Sequence, residues 1–441
     1  MVSALVTDLY ELSMARVYLQ RRMSGRATFS LFVRQLPPHR GFLVVAGLED
    51  CLDYLEQYRF DPADLGYARD VLGYDKDTLA ALHDLRFTGE VWAVPEGHLV
   101  LANEPLLEVS APIAVAQLVE SYLLNVVSFQ TMVATKAARC RIAARGAGLV
   151  DFALRRTQGI DAAMQVARLS AMVGFAATSN VEAARRFGLT AAGTMAHSFV
   201  EAFENEEAAF RAFAATFPEQ TVLLVDTYDT LVGVAAAARV INELGLPARS
   251  GVRLDSGDLA ELARASRRIL DEAGLPQARI VASGGLDEYR IDALVRAEAP
   301  IDTYGVGTRM GVSADAPYLD SAYKLVEYLG RPVLKLSPGK VTVPGRKQVF
   351  RRPGLGDVIG LREEPAPDGS TPLLERVMVD GHRLRAGEPL PVARQRFEAD
   401  LREVPESALL LEDPVPPVAR FSAAAEEQRR AVTQRLAGRR P

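Results

Sequence analysis

Five polar or glycine-rich elements each follow a short apolar run, and they recur at about the length of one βα unit. They are Gly193 to Ser198, which holds His197, then Asp226 to Thr230, Arg253 to Asp258, Ser283-Gly284-Gly285, and Gly305 to Thr308. From His197 to Asp226 and from Asp226 to Asp255 the step is 29 residues, followed by 28 to Ser283 and 22 to Gly305. A strand, its crossover helix and their loops need roughly 30 residues, so the spacing brings all five elements to one face of one parallel sheet. The strand candidates are 149–152, 221–225, 251–254, 280–282 and 303–306, with helices expected over 161–175, 199–216, 230–244, 259–273 and 288–299. Leu244-Gly245-Leu246-Pro247 and Ala273-Gly274-Leu275-Pro276 each close a helix with Gly and turn the chain with Pro. In a βα barrel the C-terminal ends of the strands carry the active site, so position alone marks an enzyme candidate.

The flanking text has a different grain. Between 27 and 114 short β-type runs are punctuated by Pro37-Pro38, Pro95-Glu96-Gly97 and Glu104-Pro105, and 116–140 then reads as a long helix without a breaker. After Lys335 strand-like, Pro/Gly-rich text returns, and 422–440 reads as a surface helix. The expected organisation is a mixed N-terminal domain at 1–130, a βα domain at 131–333, and a C-terminal segment at 334–441 that packs back on the first. Near the N-terminus, Asp8 and Glu11 are placed as the N-cap and N3 residues of a capping box, and Tyr10, Met14, Val17 and Tyr18 share one helix face that reads as packing.

Charge and cysteine usage narrow the class. With 51 basic against 56 acidic side chains the net charge is −5, which argues against nucleic acid as a partner. No uncharged apolar run reaches about 18 residues, and the N-terminus lacks the pattern of a signal peptide, so no membrane span is expected and the cytoplasm is the expected compartment. Cys51 and Cys140 stand far apart without a CxxC pattern, which supports neither zinc nor a redox motif.

Side-chain chemistry singles out a smaller set. The turns Ser283-Gly284-Gly285 and Gly305 to Thr308 follow the last two candidate strands, where backbone N–H groups can cradle a sugar phosphate. Asp226 and Asp255 sit nearest the strand ends and are the candidate catalytic carboxylates; Asp229 and Asp258 suit helix N-caps as readily as a site. His197 is the one histidine of five placed on this face, fitting a nucleophilic or acid–base role, while His39, His83, His98 and His382 read as structural. Arg155-Arg156 and Arg253 arrive at the ends of apolar strands, where a guanidinium can hold a carboxylate or a phosphate bidentately.

Taken in order, Thr7 to Tyr10, Phe152 to Gly159, Gly193 to Phe199, Arg253 to Asp258, Gly305 to Thr308, Ser337-Pro338-Gly339-Lys340 and Pro344-Gly345-Arg346-Lys347 resemble the nicotinate phosphoribosyltransferase family. The resemblance implies an α/β fold: an irregular βα barrel beside a mixed α+β domain built from both ends of the chain, in a homodimer with shared active sites. It implies transfer of phosphoribose from phosphoribosyl pyrophosphate to nicotinate, giving nicotinate mononucleotide and pyrophosphate for NAD salvage, with Mg2+ and coupled ATP hydrolysis. By the family pattern Phe152 and Tyr10 of a second copy sandwich the pyridine ring, and Arg155 and Arg253 address its carboxylate and the phosphoribosyl group. Asp226 and Asp255 hold ribose hydroxyls or the metal-bound diphosphate. Ser283, Gly284, Gly285, Gly307 and Thr308 hold the 5′-phosphate. His197 matches the histidine that ATP phosphorylates, and no residue is assigned as a metal ligand. The runner-up readings are nicotinamide phosphoribosyltransferase, ranked lower because Arg155-Arg156 has no acid beside it to accept an amide N–H, and a non-catalytic sugar-phosphate binding protein.

Overall fold

The computed structural model describes residues 2–336 and 343–438, so Ser337 to Lys340 lie outside the described residues. The chain forms two compact units, Lys136–Pro317, and Met1–Thr135 together with Tyr318–Pro441.

Lys136–Pro317 is an α/β unit built on a curled, six-stranded parallel sheet. Its strands are β1 (Gly148–Asp151), β2 (Ala177–Thr178), β3 (Val222–Leu224), β4 (Gly251–Leu254), β5 (Arg279–Ala282) and β6 (Thr303–Val306), in spatial order β2-β1-β6-β5-β4-β3. Leu223, Val252 and Ile280 lie side by side across β3, β4 and β5 and are fully buried, which is the apolar, two-face-covered pattern of a parallel sheet. The connecting helices are α1 (Ile160–Met172), α2 (Val181–Phe187), α3 (His197–Glu201), α4 (Glu206–Thr216), α5 (Thr230–Glu243), α6 (Leu259–Glu272), α7 (Glu288–Arg296) and the single turn α8 (Thr308–Gly311). On α5, Val234, Ala237, Val240 and Ile241 recur at helical spacing and are buried.

Two departures from the sequence expectation have local causes. The helix expected over 199–216 is two helices, because the Asn205 carboxamide accepts the Ala208 N–H at 2.9 Å and restarts the chain as an N-cap followed by Glu206 and Glu207. Strand β2 spans two residues, too few to show a periodicity.

In the other unit, a seven-stranded antiparallel sheet runs in the order Arg331–Pro332, Ser321–Tyr328, Arg26–Val33, Pro105–Pro112, Glu90–Ala93, Glu375–Val379, His382–Arg383. Residues from both ends of the chain thus share one sheet. Its N-terminal helix, Leu9–Gln20, corrects the capping-box expectation: Asp8 stands at the N-cap with no side-chain cap bond. Ser121 Oγ donates to Asp8 Oδ2 at 2.6 Å and to Glu11 Oε1 at 3.0 Å, so both carboxylates are spent on a partner 110 residues away or more. The face marked by Tyr10 and Val17 is half exposed, and Glu11, Leu12 and Ala15 are buried instead. No helix among the described residues is long and apolar enough to cross a membrane.

The loops at the C-terminal edge of the parallel sheet are fixed by close packing from above and below. Beneath the turn after β5, Lys136 Nζ lies 2.6 Å from both Glu288 and Asp315, and Arg139 Nε lies 2.9 Å from Glu288, an ion cluster that anchors the start of α7. Above it, Gly284 adopts φ +93° and presses onto the preceding loop so closely that a Cβ would stand 1.8 Å from the Asp255 carbonyl oxygen. Gly274, at φ +77°, has nothing within 4 Å of the same position. Gly284→Ala therefore combines left-handed strain with a backbone collision and is expected to cost at least about 3 kcal/mol, against about 1 kcal/mol for Gly274→Ala. Urea-unfolding midpoints of the two variants check this; equal losses would show that the loop contact carries no weight.

Candidate active site

Each strand end supplies a side chain that holds the next loop. Asp226, directly after Val225 at the end of β3, accepts the Asp255 N–H at 2.9 Å and the Ser256 hydroxyl at 2.7 Å through Oδ2. Asp255, after β4, accepts Arg253 Nη2 at 2.7 Å and the Ser283 hydroxyl through Oδ1. Arg253 also donates Nε to Ser283 Oγ at 2.7 Å and Nη1 to Thr194 Oγ1 at 3.0 Å and to the Met195 carbonyl at 3.4 Å. Burial alone would raise the Asp255 carboxyl, but the Ser283 hydroxyl, the Arg253 guanidinium and His197 together hold it below the usual carboxylate value. Ser283 is thereby a fixed bridge between Arg253 and Asp255. Asp229 and Asp258 resolve as N-caps: each accepts two N–H groups from the first turn of its helix, Leu231 and Val232 in one case and Ala260 and Glu261 in the other.

Beside this network lies a cavity of about 320 Å³ lined by Phe152, Arg155, Ser179, His197, Arg253 and Asp255, among others. The Phe152 N–H bonds the Val306 carbonyl at 2.8 Å, which fixes the ring at the end of β1, and the Arg253 guanidinium stands 5.4 Å from its centroid. Asp151 is buried below, accepting the Ala153 N–H at 2.8 Å and the Thr178 hydroxyl at 2.7 Å. That carboxylate shapes the turn carrying Phe152 and Arg155, and burial raises its proton affinity. Arg155 and Arg156 sit on a short 3-10 turn, both exposed, and of the two Arg155 lines the cavity. No described residue pairs with the Arg155 guanidinium, whereas all three Arg253 nitrogens are engaged within the chain. His197 opens α3, with Nδ1 3.1 Å from Thr227 Oγ1 and no described partner at Nε2. Ser179 and Asp151 were not singled out in the sequence; the two-residue β2 that brings Ser179 here leaves no trace in periodicity.

The glycine turns form a separate part of the same edge. Asp287, which caps α7, takes Arg309 Nη1 at 2.6 Å, tying the turn at Gly307-Thr308 to the one at Ser283-Gly284-Gly285. Arg290 Nη1 donates to the Gly284 and Gly285 carbonyls at 3.2 and 3.3 Å. Both turns thus present fixed backbone, with Arg309 half exposed beside them. Tyr10 belongs to the other unit and is 50% exposed; burial, then Glu120 and Glu11, push its phenol well up. Among the described residues no group of three His, Cys, Asp or Glu side chains is placed to hold a metal ion.

Comparison with known proteins identifies the architecture. Residues 5–128 match the model of the nicotinate phosphoribosyltransferase N-terminal domain, and residues 147–342 match that of the nicotinate phosphoribosyltransferase family. The chain is 50% identical over 419 residues to nicotinate phosphoribosyltransferase pncB2 of Mycobacterium tuberculosis, covering 93% of this chain and 90% of that protein. It superposes on the crystal structure of human nicotinic acid phosphoribosyltransferase with a TM-score of 0.84 at 30% identity, covering 98% of this chain and 99% of the other. A nicotinate-nucleotide pyrophosphorylase structure from Pyrococcus furiosus matches at a TM-score of 0.76 and 25% identity, over 91% and 95% of the two chains. With a fold, an ordered set of strand-end residues and relatives that all agree over nearly its whole length, the chain belongs to the nicotinate phosphoribosyltransferase family.

Proposed function

We propose that this protein is a nicotinate phosphoribosyltransferase, joining the pyridine nitrogen of nicotinate to C1′ of phosphoribosyl pyrophosphate with release of pyrophosphate. The observation that carries nicotinate over nicotinamide is the charge of the cavity: it presents Phe152 with two guanidiniums, and its one carboxylate, Asp255, is already engaged by Arg253 and Ser283. A planar anion fits such a lining, whereas an amide N–H would find no free acceptor carboxylate there. In this reading Phe152 stacks on the ring from one side, and Tyr10 of a second copy, exposed on its helix, does so from the other.

The reaction breaks the C1′–O bond to diphosphate and forms the C1′–N bond, passing through an oxocarbenium-like state that nearby negative charge stabilises. Asp255, kept ionised by its neighbours, faces that charge, while Asp226 fixes the turn that carries Asp255 and addresses the ribose hydroxyls. The Ser283-Gly284-Gly285 and Gly307-Thr308 turns take the 5′-phosphate on backbone N–H groups. Mg2+ would come with the diphosphate as its magnesium complex and would neutralise the leaving group. ATP is assigned as co-substrate, its γ-phosphoryl passing to the free Nε2 of His197 with departure of ADP, and the phosphohistidine then yielding to water.

Turnover with phosphoribosyl pyrophosphate, Mg2+ and either pyridine is the direct test: nicotinate is consumed and nicotinamide is not, and the reverse preference would overturn the reading. Arg155→Ala removes a guanidinium that no other described residue uses, so it should raise the nicotinate KM by the worth of one charged hydrogen bond, about 1.5 to 3 kcal/mol, with little loss of stability. Arg253→Ala should lower stability and impair use of both substrates, since it undoes four contacts; steady-state constants and unfolding midpoints separate the two effects. His197→Ala should fold normally and lose both ATP stimulation and acid-labile labelling from γ-labelled ATP. Undiminished ATP stimulation in that variant would reject the phosphohistidine.

A further inference from the structure

Glu206 heads α4, yet Asn205 supplies the cap, so the Glu206 carboxyl is free of helix-capping duty. The residue is only 9% exposed and its Oε1 has no partner among the described residues. Its Oε2 lies against α5 where Gly233 leaves room: a Cβ there would stand 3.1 Å from Glu206 Oε2 and 2.3 Å from the Val225 carbonyl oxygen. Val225 is followed by Asp226, which likewise keeps one buried oxygen, Oδ1, without a partner among the described residues while Oδ2 holds the Asp255 turn. Two neighbouring carboxyl groups, each with a buried oxygen that no described residue satisfies, are an arrangement that two full negative charges do not sustain.

The charged groups around Glu206 sharpen the point. From the segment joining β3 to α5 it meets Asp226 and Asp229, both acidic. On α4 and α5, Arg211 pairs with Glu207 and Glu243, and Arg239 pairs with Glu207. On α3, His197 bonds Thr227 and Glu201 is exposed, and on β4 Arg253 is committed to Asp255. Burial first, then the charges of Asp226 and Asp229, raise the Glu206 acid to about 7.

We propose that Glu206 is a positioning residue that works as a neutral carboxylic acid beside Asp226, adding no further negative charge to those of Asp226 and the helix-capping Asp229 at that strand end and so setting how tightly the polyanionic phosphoribosyl donor is held. The inference rests on the phosphoribosyl-transfer reading. Its sign is fixed: as pH rises through about 7, Glu206 loses its proton and adds a negative charge beside an anionic ligand, so donor binding weakens. By linkage, donor binding near pH 7 takes up a proton.

Titration calorimetry of the full chain with magnesium phosphoribosyl pyrophosphate, in two buffers of different ionisation heat at about pH 7, counts that proton. Wild type is expected to take up a fraction of a proton, up to about half, more than Glu206→Gln does. The wild-type KM for the donor should rise between about pH 6 and about pH 8 while that of Glu206→Gln stays flat, and Glu206→Asp, which keeps an acid, should retain the pH dependence. Equal proton uptake in wild type and Glu206→Gln overturns the inference. So does proton release on binding together with a raised Mg2+ requirement in Glu206→Gln, the signature of an ionised cation ligand. If wild type neither binds the donor nor consumes nicotinate, the functional reading itself fails, and the inference with it.

Discussion

The Asp226 carboxylate at the end of β3 is the constraint on which the site depends. By accepting the Asp255 amide and the Ser256 hydroxyl it dictates the path of the loop after β4, and that loop in turn presents Asp255 to Arg253 and Ser283. The order of dependence runs across the sheet, strand by strand, rather than along the chain. A parallel sheet makes this possible because every strand ends at the same edge, so a side chain at one strand end always has a neighbouring loop within hydrogen-bond reach.

Arg253 shows what such a network costs and what it achieves. A guanidinium and a carboxylate withdrawn from water lose hydration that their mutual attraction recovers only with good geometry and further partners. Here the three Arg253 nitrogens find Ser283, Thr194, Met195 and Asp255, so each nitrogen has a partner. The consequence is electrostatic preorganisation: a charged pair already oriented needs no rearrangement when substrate charge develops. Arg155, on an exposed turn without such partners, is the complementary case, a cation left available to a ligand. The same contrast separates Asp255, held ionised, from Glu206, whose burial among acids favours its proton.

Individual elements show how much was legible beforehand. Strand β4 at 251–254 and β6 at 303–306 are found where the apolar runs and the turn residues after them place them, because each is short, buried and bounded by punctuation. The α/β class followed from the spacing of the polar elements for the same reason. The N-terminal helix was misread: Tyr10 and Val17 are apolar at helical spacing yet half exposed, while the buried residues include Glu11, whose carboxylate is satisfied by Thr7 and Ser121. Periodicity weighs hydrophobicity alone and is blind to a buried acid with distant partners. Asp151 lies within the strand expected over 149–152 and Glu206 within the helix expected over 199–216, yet neither they nor Ser179 carry a local sign of their role; the partners that define it, Thr178 for Asp151 and Asp226 for Glu206, stand about 20 to 30 residues away.

By itself the sequence determined the period of the βα units, the edge on which the chemistry gathers, and the residue types available there, since strand length, helix length and turn chemistry are local properties. Only the tertiary structure decided how those residues divide their work. That Asp226 holds the turn presenting Asp255 to the cavity, that Arg253 is spent internally while Arg155 is left to a ligand, and that Glu206 lies beside Asp226 all depend on distances between segments some 20 to 60 residues apart. Hydrogen bonding and desolvation act through space over a few ångströms, and a linear pattern carries no record of which distant groups come that close.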